Sequence, residues 1–205
     1  CVALRDHHVI TFVQEIIRDH SEAFMKACMR SVKNFSKAVT TPYNRHELAS
    51  LITISLVIIE QSKDEDTLFL AFNALLLASS QSTTASVQDF VDQHTVDILF
   101  KAIPAWKEHE GCCTAAAHLM WQLSRHDSWV AQCPLKGTTD NAVPPIDDVL
   151  ETCYHHEPAA SDPMDRYVDI LGTALNYQKR GAVTADALQD SEVFEKCIYD
   201  TLRSR

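Results

Sequence analysis

Glycine is scarce in this chain: 4 residues in 205, at positions 111, 137, 172 and 181. A β-rich domain of this length needs many tight turns and the glycines that build them. No two of the four have the spacing of a dinucleotide fingerprint or a Walker phosphate loop, so both motifs are excluded. Paired cysteines are missing as well. The seven stand at 1, 28, 112, 113, 133, 153 and 197, an odd number with no CxxC spacing. They read as reduced, mostly buried thiols of a cytoplasmic protein. Positive charge is short overall, with a net charge of −10. Nucleic acid and anionic membrane surfaces are therefore disfavoured partners. No apolar run reaches the roughly 20 residues of a membrane-spanning helix; the longest are Leu48–Ile59 and Leu68–Ala78.

What is present is helical. Apolar residues recur at helical spacing in segment after segment. The pattern predicts helices over about 3–19, 22–39, 44–61, 67–79, 86–93, 95–106, 112–126, 145–156, 163–179 and 184–202. Leu48–Ile59 and the helix over 67–79 are apolar on most faces and are expected at the centre of the core. Asp64 or Asp66 is placed to cap the latter. Pro104 is expected to kink or stop its helix, and Ser161-Asp162-Pro163 is a helix start with proline at the first helical position. The longest loop is 133–145. A chain that opens on Cys1 is expected to be an excerpt of a longer protein, and its residues 1–205 to form one domain.

The helices recur in register. Residues 73–79, 118–124 and 172–178 are alike in pattern, with spacings of 45 and 54 residues. A helical period near 40–47 residues is the signature of stacked repeat arrays. This predicts an all-α, right-handed α-solenoid of about four helix pairs plus a C-terminal helix. The stretches Val96–Ile103 and Leu119–Ser124 resemble the second and third helices of an armadillo repeat. The end of the second is similar to that family's alanine-leucine-x-asparagine-leucine close. The likeness to the armadillo/HEAT-like superfamily runs over residues 44–179. It implies a groove lined by third helices that binds an extended or helical protein segment. Members that read basic peptides carry a Trp and, four residues on, an Asn. Here the Trp-like positions are Asn73, His118 and Gly172, and the Asn-like ones Leu77, Gln122 and Asn176. Two amides are kept and no Trp, a departure from the nuclear-import type of reading.

The resemblance makes His118, Trp121, Gln122, Asn176 and Tyr177 the candidate partner-binding ladder. The amides can donate and accept toward a bound backbone, and the aromatics add apolar area. The bland alternative has Trp121 and Tyr177 buried between repeats. A second candidate is the basic ridge Lys26, Arg30, Lys33 and Lys37, spaced at i, i+4, i+7 and i+11. It suits an acidic partner, or is simply a solvated helix face.

Catalytic spacings are sparse. No His follows a Glu by three residues, HExxH and GxSxG are absent, and the adjacent His pairs at 7–8 and 155–156 chelate poorly on a helix. One constellation stays open. His126-Asp127, with His94 or His118 upstream and Asp148 or Asp169 downstream, is the ligand order of all-helical metal phosphohydrolases, where an ion activates water. The reading that follows is a non-enzymatic interaction module, with no cofactor or metal, no nucleic-acid or membrane partner, and another protein as its ligand.

Overall fold

The computed structural model describes residues 21–38, 44–80, 91, 95–133, 146–179, 195–196 and 198–199. The side chains of 35–38, 147, 154 and 163–167 fall outside that description. So do the helix expected at 3–19, most of those at 86–93 and 184–202, and the loop after Cys133. Among the described residues there is no strand. The elements are α1 (Glu22–Ala38), α2 (Arg45–Gln61), α3 (Glu65–Ser80), α4 (Thr95–Ala105), α5 (Glu110–Ser124), α6 (Asp127–Val130), α7 (Ile146–Tyr154) and α8 (Pro163–Lys179). None of these helices is long and apolar enough to cross a membrane. By its contacts the chain divides into two compact units, Cys1–Ile98 and Leu99–Arg205, each described by itself.

In the first unit, local chemistry sets the helix boundaries. Asn44 closes a capping box on α2: its side chain accepts from Glu47 N at 3.0 Å, and Glu47 accepts from Asn44 N at 2.8 Å. Such a cap contributes about 1 kcal/mol. A three-residue turn folds α3 back on α2. Asp64 caps α3, accepting from Thr67 N at 2.9 Å and from the Thr67 hydroxyl at 2.7 Å. Leu51, Ile52, Ile54 and Ile58 of α2 and Leu68, Ala71, Phe72 and Leu75 of α3 are fully buried, as their all-round apolar sequence requires.

Helix α1 is fixed to this hairpin by its acidic first turn and by one lysine. Glu22 accepts from the Ser62 hydroxyl and, at 3.0 Å, from Lys63 N. Lys26 Nζ lies 3.0 Å from Asp64 and 2.8 Å from Asp66. Since Lys26 meets the start of α3, and Met29, Val32 and Lys33 share a cleft with Phe69 to Leu77, α1 and α3 run parallel.

The Thr67 hydroxyl, and after it Lys26, hold the Asp64 carboxyl below the usual aspartate range. The sign follows from linkage. A depressed folded value adds stability that is complete above the unfolded value of about 4 and is lost as pH falls through the folded one. The first unit should therefore weaken as acid is added below about pH 4. Asp64→Asn should flatten that part of a stability-against-pH curve, measured by denaturant titration followed by circular dichroism.

In the second unit α5 is the central element, touching α6, α7 and α8. Pro104 sits in the last turn of α4, which ends at Ala105. The helix expected over 112–126 instead begins at Glu110 and stops at Ser124. The chain turns through Arg125 and His126 into α6, which buries Trp129 completely. Pro163 takes the first position of α8, where its missing N–H costs no hydrogen bond. The five described cysteines are free thiols; 112, 113, 133 and 153 are buried and Cys28 is half-buried.

Candidate partner-binding face at the α5–α8 seam

Helices α5 and α8 run parallel, joined by three rungs. At one end His118 Nδ1 lies 2.9 Å from Asp169 Oδ2. One turn on, the Trp121 indole covers Gly172. A Cβ added there would stand 2.6 Å from both Cδ1 and Nε1 of the indole, so only glycine lets the ring lie this close. At the far end the Asn176 amide donates to the Ser124 hydroxyl at 3.0 Å, and that hydroxyl donates to Trp121 O at 2.7 Å. Asp169, Gly172 and Asn176 are spaced i, i+3, i+7, which places them on one side of α8.

Polar groups at the seam satisfy one another. With its proton on Nδ1, His118 donates to Asp169 and its Nε2 accepts from the Gln122 amide at 2.9 Å. Asp169 is 6% exposed, and a carboxylate so buried requires such partners. Arg125 lies over the Trp121 ring, 5.5 Å from its centroid, and the His118 ring is tilted against the indole at 5.6 Å. His118, Trp121, Gln122 and Asn176 are all half-buried. Beside them α8 leaves Val168 and Leu175 exposed, at 50% and 60%. Both lie on the same stripe as Gly172, one turn to either side of it.

Tyr177 does not belong to this face, and its place in the binding ladder is corrected. It is fully buried and donates its hydroxyl to Cys133 Sγ at 2.7 Å. The reason is helical geometry: neighbouring residues point about 100° apart, so a chain that brings Asn176 to the seam turns Tyr177 into the core. Burial pushes the Cys133 thiol up to about 12, against the opposing pull of the Tyr177 hydroxyl. The 54-residue spacing makes His118 and Gly172 equivalent positions rather than contacts; the packed rungs join 118 to 169, 121 to 172 and 124 to 176.

Of the basic ridge, Lys26 is spent on Asp64 and Asp66 rather than left for a partner. Arg30 and Lys33 are exposed. The Lys37 side chain lies outside the described residues.

The metal constellation does not assemble from its described members. No group of three or more His, Cys, Asp or Glu side chains converges among the described residues. His126 occupies the N-cap position of α6 with Asp127 in its first turn, while Asp169 pairs with His118. His94 lies outside the described residues.

Three residues of the seam were not singled out from the sequence: Asp169 as a structural partner, Ser124 and Arg125. The legible signal was an acid on the otherwise apolar stripe of Ile170, Thr173, Ala174 and Tyr177, since a buried acid announces a partner. No protein-family model, curated protein or solved structure matches the chain.

Proposed function

We propose that this chain is a non-enzymatic protein-interaction module that binds an extended or helical segment of another protein on the α5–α8 face. The observation that carries the reading is Trp121, half-exposed and laid over Gly172 between the exposed Val168 and Leu175. A large aromatic held by its neighbours, with an arginine over its ring, is the composition of an interface hot spot. The His118–Asp169 and Asn176–Ser124 bonds order its surroundings before a partner arrives, which reduces the entropic cost of binding.

The same geometry argues against nucleophilic catalysis. A carboxylate and an imidazole form the base of a triad, but the far nitrogen of His118 meets the Gln122 amide, which is no nucleophile. The parallel pairs α1–α3 and α5–α8, each within its own unit, support reading the helices as armadillo-like repeats.

The test is a selection of displayed peptides on the full chain, with each enriched ligand then assayed on the Trp121→Ala variant. Enriched ligands should bind Trp121→Ala at least about tenfold more weakly than the parent, the loss typical of a hot-spot residue. Circular dichroism should show both proteins equally helical. If every selected ligand binds the two alike, the face is not the binding surface. Stoichiometric Mn, Fe or Zn in protein purified without chelator, lost in His126→Ala, would favour phosphohydrolysis instead.

A further inference from the structure

The first unit carries a surface that the α5–α8 reading does not use. Glu22 and Lys26 clamp the start of α1 to the start of α3, and beyond that clamp the seam between the two helices opens into a cleft. It holds about 360 Å³, with Met29, Val32 and Lys33 on the α1 side and Phe69, Asn73 and Leu77 on the α3 side. Phe69 is 40% exposed at its edge. The Asn73 amide donates one hydrogen bond to Phe69 O within its own helix and is the one uncharged polar side chain in the lining.

Charge along these walls has one sign. After Glu22, α1 holds no acidic residue, and α3 holds none after Asp66. Lys26 is neutralised by Asp64 and Asp66. The side chains of Arg30 and Lys33 make no ion pair or hydrogen bond among the described residues. A mostly apolar cleft with Lys33 in its lining and Arg30 three residues back on the same helix, on a chain whose net charge is −10, is complementary to an acidic ligand and not to the bulk of its own surface.

We propose that this cleft docks an acidic amphipathic helix of a partner protein. Its apolar anchors sit on Met29, Phe69 and Leu77, and its carboxylates face Arg30 and Lys33. The occupant is helical because both walls are helices whose backbones are internally satisfied. They offer no edge for a strand, so the segment must close its own backbone hydrogen bonds. The volume takes about two or three large side chains, the number that an i, i+3 or i+4, i+7 stripe presents.

The test uses the full chain and two displayed libraries of helix-forming peptides of about 15 residues, four turns. Both have the same apolar stripe, one flanked by Glu and the other by Lys. The Glu-flanked library should enrich. Its binders should lose about tenfold or more in affinity on the R30E/K33E double variant, and should weaken as salt is raised. The same variant should gain affinity for the Lys-flanked library, a reversal that loss of structure cannot produce. Phe69→Ala should weaken Glu-flanked binders about tenfold, and Trp121→Ala should leave them unchanged, which separates this site from the α5–α8 face. Equal enrichment of both libraries would overturn the proposal, as would binders indifferent to R30E/K33E. Two other occupants would overturn it as well. One is a second copy, seen as self-association that Phe69→Ala abolishes. The other is the chain's own residues 1–19, seen as an intramolecular crosslink from position 33.

Discussion

Tyr177→Ala should cost about 3–5 kcal/mol of stability, the range for removing a fully buried aromatic side chain. Tyr177→Phe should cost about 1 kcal/mol, the worth of one buried hydrogen bond. The contrast follows from what the side chain does: its ring is buried in the core of the second unit, and its hydroxyl donates to Cys133 Sγ. A thiol-specific readout ties the loss to this place. In the parent, Cys133 is buried and its thiol is pushed up to about 12, so alkylation at neutral pH should pass it by. In Tyr177→Ala the cavity opens beside it, and peptide mapping after iodoacetamide should find it labelled. Wild-type stability in Tyr177→Ala, with Cys133 still protected, would return Tyr177 to the surface ladder.

Gly172→Ala should destabilise the parent by up to about 2 kcal/mol. The added methyl meets the indole at 2.6 Å, an overpacking cost of about 1–3 kcal/mol, and only part of it is offset by the roughly 1 kcal/mol that alanine gains over glycine in a helix. In a Trp121→Ala background the obstacle is gone. The same Gly172→Ala change should then stabilise by about 0.5–1 kcal/mol. The reversal of sign, read from denaturant unfolding of the four proteins in the cycle, reports contact between the indole and α8 and nothing else. If Gly172→Ala stabilises both backgrounds, Trp121 does not lie across α8.

Much of the fold was legible because local signals agreed. The stop at Gln61 and Pro163 at the head of α8 lie where the sequence puts them, and of the two aspartates it offers as a cap, Asp64 takes the role, since caps and proline act within one turn. The helix expected over 112–126 is displaced by two residues: it runs from Glu110 to Ser124. Arg125, His126 and Asp127 are all compatible with a helix, and only the burial of Trp129 in α6 requires the break after Ser124. The site was legible in residue type but not in register. His118, Trp121, Gln122 and Asn176 do share the α5–α8 pair, yet a repeat spacing gives equivalent positions, whereas contact across parallel helices depends on their axial offset. Here the offset is set by the one position, Gly172, that admits the indole. The basic ridge was read as four equal charges because sequence cannot show that Lys26 has two aspartates in reach. Arg30 and Lys33, which have no ion pair among the described residues, stand out only once Lys26 is subtracted.

Partner binding on the α5–α8 face has a direct spectroscopic signature. The indole N–H region of a proton–nitrogen NMR spectrum of the full chain holds one signal for each of its three tryptophans. Replacing each Trp with Phe assigns them. Adding a peptide selected on the full chain and weakened by Trp121→Ala should shift the half-exposed Trp121 signal in a saturable way and leave that of buried Trp129 in place. A peptide that binds while the Trp121 signal stays fixed would show that partners do not meet the chain on this face.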